Sequence, residues 1–312
     1  MIDKKLLPYV EEMTEFNIAL LDMEFTPPLQ DIKERIKTSR ENVQLMMSPP
    51  VPEAEARVIE TTNGDIPARI FIPNDIKGIY LDIHGGGWIT GAPQMNDAHN
   101  LAIANEVNVA VVSIDYRLAP ENSFPAAPDD CEAAALWILE NGMSEFGSDS
   151  LLIGGASAGG HLAVETLIRL RDRHDATSHI KGANLVYGIY DLSMTPSQRD
   201  TVNKYPVLNK SDLEFCYDMF LPDVEFELRR DPKYSPLFAD LSNMPPAIFT
   251  IGMLDMLLDD TLFMAARWEA AGNHADLAAY PESPHGFNMF PTKMAEFANR
   301  RIIEFLKNII NT

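Results

Sequence analysis

Ser157 stands at the centre of the sequence Gly-Ala-Ser-Ala-Gly, between a short apolar run and a segment with helical character. The apolar run, residues 151–153, suits a buried parallel strand, and the segment that follows the serine predicts a helix over 158–172. Gly155 and Gly159 lack side chains where a sharp strand-to-helix turn needs strained backbone angles or close packing. The pattern predicts a nucleophilic serine; the alternative is a glycine-rich turn with an incidental serine.

A serine hydroxyl needs a base to take its proton, and the base needs a carboxylate to fix its tautomer. In open parallel sheets the active groups gather at the carboxyl ends of the strands. Asp255 follows the predicted strand 247–252, and His285 follows the predicted strand 276–280, 30 residues further along the chain. That separation leaves room for one helix, so both loops should reach the same sheet edge. We therefore predict Asp255 as the acid and His285 as the base.

Other acidic and histidine residues compete for these two roles. Asp259 and Asp260 are alternatives for the acid, although both are also placed to cap and charge the N-terminus of the next helix. His161 is close to Ser157 in sequence, but four residues into a helix it is expected to point away from the serine. His285 is favoured over the remaining histidines, most of which lie in polar turns or at helix ends.

Three consecutive glycines follow the predicted strand 78–83, in the sequence His-Gly-Gly-Gly-Trp at residues 84–88. The negative oxygen of a tetrahedral intermediate needs preorganised donors, and glycine lets backbone N–H groups approach closely. A phosphate-binding loop does not fit, because neither GxGxxG nor a GK[ST] ending is present. We predict that the N–H groups of Gly86, Gly87 and Ala158 form an oxyanion hole, and that His84 holds the loop.

Together these motifs resemble those of the hormone-sensitive lipase-like esterases, over nearly the whole chain. The matching segments are HGGGW, YRLAPE at 116–121, the serine elbow, D-x-L-x-D at 255–259 and HGF at 285–287. The resemblance implies an α/β-hydrolase fold, with a mostly parallel central sheet of about eight strands flanked by helices and a helical cap. It also implies a catalytic triad of Ser157, Asp255 and His285, ester hydrolysis without a cofactor, and a homodimer formed through the last strand or the C-terminal helix.

The chain departs from the family pattern at two positions. Ala156 stands directly before the nucleophile, where members of the family usually carry Asp or Thr, so a hydrogen bond that ties the elbow to neighbouring loops is missing. Met256 follows the predicted acid, where the family commonly has Pro. This second change is expected to loosen the loop and to alter the pocket wall while keeping the carboxylate.

The order of predicted elements agrees with this fold class, α/β. Beyond an initial antiparallel pair, strands and helices alternate, which predicts a mostly parallel sheet with helices on both faces. The predicted strands are 57–61, 68–72, 78–83, 107–114, 151–153, 183–187, 247–252 and 276–280; the predicted helices of the core are 97–106, 129–141, 158–172, 259–272 and 292–310.

Two segments lie outside this alternation and are predicted to form the cap. Residues 1–50 should contribute helices, and the proline-rich residues 193–240, with a short helix over 212–220, should be an insertion. The catalytic core is then 51–192 together with 241–312. For the substrate pocket the candidate wall residues are Trp88, Met256, Phe287 and Phe215, although Trp88 and Phe287 suit a core position equally well.

The composition of the chain limits the kinds of partner that we expect it to bind. The 312 residues carry a formal net charge of −21, from 46 acidic and 25 basic side chains, which disfavours nucleic acid and anionic membranes. Cys131 and Cys216 have no metal-site or disulfide spacing, and we expect buried free thiols and no bound metal. There is no signal-peptide pattern and no run of 18 apolar residues, so we expect a cytoplasmic protein without stable membrane association.

The predicted function is therefore that of a serine carboxylesterase which hydrolyses short- to medium-chain esters through an acyl-enzyme and uses no cofactor. The pocket contacts that select the leaving group cannot be inferred from these motifs. An amidase, a peptidase or a lactone hydrolase with the same triad therefore stays as an alternative. A non-catalytic ligand receptor on the same fold is disfavoured, because nucleophile, acid and base are all present in order.

Overall fold

A central sheet of eight strands organises the computed structural model, which describes residues 4–21, 31–200 and 207–312. The strands are β1 Glu55–Thr61, β2 Gly64–Phe71, β3 Gly78–Ile83, β4 Val109–Ile114, β5 Leu151–Ala156, β6 Ile180–Val186, β7 Ala247–Leu254 and β8 Ala275–Pro284. Their spatial order is β1-β2-β4-β3-β5-β6-β7-β8. The pairs β1–β2 and β2–β4 are antiparallel, and all later pairs are parallel, as the sequence predicts.

Helices cover both faces of this sheet. They are α1 Val10–Leu21, α2 Ile32–Met46, α3 Asp97–Ile103, α4 Ala126–Phe146, α5 Ala158–His174, α6 Lys210–Phe220, α7 Leu258–Ala270 and α8 Lys293–Ile310. Helices α4 and α5 pack together on one face, while α8 packs against the turn that continues α3 on the other. Among the described residues no helix is both long and apolar enough to cross a membrane.

The central strands are buried on both faces, which explains their continuous apolar sequences. Every residue of β3 and β4 is buried, whereas β1 and β2 at the edge show mixed exposure along their length. Parallel strands covered by helices on both sides need apolar residues at successive positions, and edge strands do not. The fold class predicted from the sequence is therefore observed.

Several predicted boundaries are wrong by a few residues. The strand predicted to start at residue 107 begins at Val109, because residues 104–108 continue α3 as a π-type turn. The strand predicted over 151–153 runs on to Ala156, since Gly154 and Gly155 pair with β3 and β6 although glycine disfavours strands. The helix predicted over 129–141 extends over Ala126–Phe146.

Chain segments from both predicted cap regions contact each other. Arg35 of α2 donates a hydrogen bond to Asp212 of α6 at 3.2 Å, and its guanidinium lies 3.8 Å from the centre of the Phe215 ring. Parts of both regions, residues 1–3, 22–30 and 201–206, lie outside the described residues. The division of the chain into core and cap stays a prediction that this contact supports.

Candidate active site

Ser157 occupies a strained turn between β5 and α5. Its φ is 58° and its ψ is −119°, a conformation that costs a non-glycine residue about 1–3 kcal/mol. Two backbone hydrogen bonds hold the turn: Ser157 N donates to the carbonyl of Val186 at 2.9 Å, and His161 N donates to the carbonyl of Ser157 at 3.2 Å. Such strain persists only where the surroundings fix it, and it places the hydroxyl at the carboxyl end of the sheet.

The serine, the histidine and the aspartate predicted from the sequence lie in one chain of hydrogen-bonding distances. His285 Nε2 is 3.1 Å from Ser157 Oγ, and His285 Nδ1 is 2.8 Å from Asp255 Oδ2. Asp255 is 1% exposed, and its other oxygen accepts a hydrogen bond from Leu257 N at 2.9 Å. With Nδ1–H donating to the carboxylate, the lone pair of Nε2 is available to the serine hydroxyl.

The two alternative acids are used elsewhere. Asp259 Oδ2 accepts from Ser197 N at 2.8 Å, so it binds the segment after β6 rather than the histidine. Asp260 is fully buried, and its carboxylate accepts four hydrogen bonds from the same segment, at 2.6–2.9 Å, from Tyr190 N, Asp191 N, Thr195 Oγ1 and Gln198 Nε2. Burial nevertheless raises the pKa of Asp260 to about 7. Both residues lie in the first turn of α7, but their side chains hold the insertion.

The glycine loop, residues 84–88, runs directly beside Ser157. A Cβ atom built on Gly85 would lie 3.5 Å from the Cβ of Ser157. Gly86 and Gly87 have φ values of +118° and +60°, and Gly86 O accepts hydrogen bonds from the N–H groups of the two residues after Trp88. The N–H groups of Gly86, Gly87 and Ala158 donate to no other residue in the described part of the chain. They are therefore free to bind a substrate oxygen.

His84 fixes the start of the glycine loop. Its ring stacks on Tyr116 with centroids 4.2 Å apart, and its Nδ1 is 2.7 Å from the carbonyl of Gly85. The Tyr116 hydroxyl donates to the carbonyl of His84 at 2.9 Å. Burial lowers the pKa of His84 to about 4, so the ring is neutral near pH 7 and serves to hold the backbone.

Two residues that the sequence did not indicate contact this site. Tyr187, with φ 36°, places its ring 4.6 Å from the His285 ring and donates its hydroxyl to Asn288 Oδ1 at 2.7 Å. Arg40 of α2 donates to Ile89 O, next to the glycine loop, at 2.9 Å and forms a bidentate pair with Glu121 at 2.9 and 2.7 Å. No motif marks either residue, because each acts through contacts with distant parts of the chain.

Three of the four predicted pocket residues present almost no surface to solvent. Trp88, Met256 and Phe287 are at most 1% exposed. Trp88 is stacked on Phe220 with ring centroids 4.5 Å apart, which is a core contact. Phe215 on α6 is half-buried, so among the four it alone has a partly exposed side chain. In this structure the other three support the loops of the site from within the core.

Both cysteines are free, and one of them lies against the glycine loop. Cys131 is buried, whereas Cys216 of α6 is half-buried, so the expectation of buried thiols holds fully for Cys131 only. A Cβ atom on Gly87 would lie 2.5 Å from the Cys216 sulfur, which shows how closely α6 covers this loop. Burial raises the pKa of Cys216 to about 12, so the thiol is unreactive near neutral pH.

A cavity of about 710 Å³ lies between α3, α8 and the sheet, behind the serine elbow. Asp82, Asn184 and Asn299 are among its polar lining residues, and Ala156 and Tyr187 border it. Ser157, Asp255 and His285 are not part of its wall. It is therefore separate from the chemistry at the serine.

Similarity to known proteins identifies the family to which this chain belongs. A family model described as the alpha/beta hydrolase fold matches residues 80–289, a span that includes Ser157, Asp255 and His285. The chain belongs to the α/β-hydrolase family. Within it, the sequence resemblance to the hormone-sensitive lipase-like esterases is confirmed by relatives and by solved structures.

Two curated relatives come from Mycobacterium tuberculosis. The carboxylesterase NlhH is 31% identical over 274 residues, which cover 82% of this α/β hydrolase and 83% of the relative. The carboxylic ester hydrolase LipN is 33% identical over 235 residues, which cover 73% of this chain but only 62% of the longer relative.

Solved structures agree over nearly the full length. An esterase from Pyrobaculum calidifontis superposes with a TM-score of 0.82 and 31% identity, over 94% of this chain and 97% of the other. An esterase of the bacterial hormone-sensitive lipase family gives a TM-score of 0.77 and 28% identity, over 99% and 100% of the two chains.

Proposed function

We propose that this α/β hydrolase is a serine carboxylesterase that cleaves short- to medium-chain carboxylic esters through an acyl-enzyme on Ser157. The observation that carries the proposal is the pair of distances at His285, 3.1 Å to Ser157 Oγ and 2.8 Å to Asp255 Oδ2. These distances suit a serine–base–orienting acid arrangement. The curated relatives named carboxylic ester hydrolase and carboxylesterase confirm the predicted enzyme class.

The proposed reaction begins with attack of Ser157 Oγ on the ester carbonyl carbon, while His285 Nε2 takes the hydroxyl proton. Asp255 stabilises the imidazolium that forms, and the N–H groups of Gly86, Gly87 and Ala158 bind the oxyanion. His285 then gives its proton to the leaving alkoxide oxygen, which releases the alcohol and leaves the acyl group on Ser157. A water molecule, deprotonated by His285, attacks the acyl carbonyl and frees the acid and the serine.

The local geometry also argues against a non-catalytic receptor. A receptor has no need for a serine in a strained turn with a histidine nitrogen at hydrogen-bonding distance, since that strain costs stability. An amidase, a peptidase or a lactone hydrolase would use the same groups, so the leaving group has to be tested directly.

The test is a panel of p-nitrophenyl esters from acetate to palmitate, assayed beside p-nitroanilides with the same acyl groups. We expect the highest kcat/KM for short and medium acyl chains, and values at least about 100-fold lower for the anilides, because discrimination comes from differential transition-state binding. Faster cleavage of the anilides would assign an amidase, and a maximum at palmitate would overturn the proposed substrate length.

The homodimer follows from the family resemblance alone and stays a prediction. β8 is the edge strand of the sheet, and Leu277 on it is 39% exposed, so its free edge is where the proposed homodimer would pair. The cytoplasmic location likewise stays a prediction.

A further inference from the structure

The strand that leads to the catalytic histidine is interrupted just before it. In the pairing of β7 with β8, Gly252 lies opposite Tyr280 and Leu254 lies opposite Pro284. Three residues of β8, 281–283, therefore face the single residue Met253, which is a bulge larger than the usual two residues against one. Bulges next to active sites re-aim side chains. This bulge sets the direction in which the chain enters His285.

The bulge contains a residue in a strained conformation. Glu282 has φ 51°, in the left-handed region that glycine or asparagine normally occupies. Close packing of Ser283 on Gly252 leaves no room for a Cβ on that glycine, and Ser283 Oγ donates to Pro281 O at 3.1 Å. These contacts hold Pro281 and Ser283, the two neighbours of Glu282, but they do not involve the carbonyl group of Glu282 itself.

The carbonyl of Glu282 is held by a residue from the other end of the chain. Asn17 of α1 donates its Nδ2–H to Glu282 O at 2.6 Å, across 265 positions of sequence. Asn17 is 5% exposed, whereas the rest of α1 except Met13 is half-buried or exposed. An asparagine buried to this extent needs a polar partner, and the bulge supplies it.

Helix α1 also contacts the chain on the far side of His285. The Phe16 ring lies 4.9 Å from the Phe290 ring, and the Glu12 carboxylate accepts a hydrogen bond from Lys293 N at 2.9 Å. The segment 282–293, with the histidine inside it, is thus held before and after His285 by one helix. Of these three contacts, the one made by Asn17 lies nearest to the histidine, because Glu282 is three residues before His285.

We propose that Asn17 is a positioning residue for His285, which holds the bulge so that Nε2 reaches Ser157 Oγ and Nδ1 reaches Asp255. The inference rests on the proposed function, since it assigns His285 as the base. Loss of the hydrogen bond leaves the Glu282 carbonyl unpaired and the strained φ unsupported, so the bulge relaxes and His285 shifts. A displacement of about 1 Å at a catalytic group can cost about 100-fold in rate.

The test compares two Asn17 variants with a control on the same helix. Asn17→Ala removes the donor, and Asn17→Asp keeps the size but presents a carboxylate oxygen to the carbonyl. Thr14→Ala is the control, because the exposed Thr14 hydroxyl bonds only to Val10 O within α1. For both Asn17 variants we expect kcat for p-nitrophenyl butyrate to fall about 10- to 100-fold while KM changes less than about twofold. Thr14→Ala should match the parent enzyme.

A second readout separates positioning from simple anchoring of α1. The downfield proton NMR signal of the imidazole N–H bonded to Asp255 should shift or disappear in both Asn17 variants and stay in Thr14→Ala. Parent values of kcat and an unchanged signal in folded Asn17→Ala and Asn17→Asp would overturn the inference, whatever their melting temperature. Full activity of Ser157→Ala would instead overturn the proposed function, so the two failures are distinguishable.

Discussion

Three residues with strained backbone angles lie around Ser157 and His285. These non-glycine residues with positive φ values are the proposed nucleophile Ser157, Tyr187, whose ring lies against the proposed base His285, and Glu282 in the bulge before it. Such conformations cost about 1–3 kcal/mol each and survive where the surrounding structure fixes them. Here backbone hydrogen bonds fix Ser157 and an asparagine side chain fixes Glu282.

The assignment of the acid can be tested with two matched substitutions. Asp255→Asn should lower kcat by about 10⁴-fold, because an amide at this position favours the wrong imidazole tautomer. Asp259→Asn should change kcat by less than about threefold, since Asp259 holds Ser197 and does not contact His285. Both variants are assayed with p-nitrophenyl butyrate at saturating concentration. The opposite order of the two losses would reassign the acid to Asp259.

For single residues, the sequence indicated those that belong to a local motif. Ser157, the glycine loop, Asp255 and His285 each stand at a strand end, so a short segment was enough to place them. Asn17, Arg40 and Tyr187 were missed, because their contacts with Glu282, Glu121 and His285 join segments far apart in the chain. Single residues of that kind leave no periodic or motif signal.

Among the elements, the junction of β5 with α5 packs so closely on β3 that it leaves no room for a side chain at Gly159. A Cβ atom on Gly159 would overlap the carbonyl oxygen of Ile83, the last residue of β3. The start of α5 can therefore approach the glycine loop only because residue 159 lacks a side chain. This contact brings the start of α5, at Ala158, against the end of β3, where the glycine loop begins.

We expect Gly159→Ala to lower both stability and activity, although it adds only one methyl group. The added methyl must push α5 away from β3, which should lower the free energy of unfolding by about 1–3 kcal/mol and reduce kcat of the folded protein. Gly147→Asn is the control, since nothing lies within 4 Å of a Cβ there and asparagine tolerates its φ of +76°. Urea unfolding and esterase assays measure both effects. Equal behaviour of the two variants would refute this account of the elbow.

Sequence patterns predicted the types of the core elements well and some of their ends poorly. The strand β5 was predicted three residues too short, because Gly154 and Gly155 near its end fit close contacts with other elements and have low strand propensity. The bulge in β8 was not predicted at all. The contacts at the bulge are a long-range hydrogen bond and the packing of Ser283 on Gly252, and neither leaves a signal in the local sequence pattern.

For the molecule as a whole, buried histidines link stability to pH. Burial lowers the pKa values of His84 and His161 to about 4, while an exposed histidine titrates near 6.5. The unfolded chain therefore binds more protons between these values, and stability that is present above pH 6.5 is lost as the pH falls towards 4. Asp260 opposes this trend, since its raised pKa, about 7, makes the native state bind the extra proton.

A single substitution isolates the histidine contribution. His161 lies 2.9 Å from the Tyr234 carbonyl through Nε2, and the side-chain amide of glutamine can donate to the same carbonyl. In His161→Gln the free energy of unfolding should fall less steeply between pH 6 and 4.5 than in the parent protein. The two slopes should differ by about 1.4 kcal/mol per pH unit, which is the effect of one proton. Urea unfolding at several pH values measures the slope. An unchanged slope would show that the pKa of His161 in the folded protein is not lowered below its value in the unfolded chain.

The most direct test of the account asks which atom becomes covalently modified. The enzyme is treated with a fluorophosphonate probe, digested and mapped by mass spectrometry, and Ser157→Ala is treated in parallel. We predict one adduct, on the oxygen of Ser157, with hydrolysis of p-nitrophenyl butyrate lost in proportion to labelling, and no adduct and about 10⁶-fold lower kcat in Ser157→Ala. An adduct on another residue, or a Ser157→Ala variant that still hydrolyses the ester, would contradict the account.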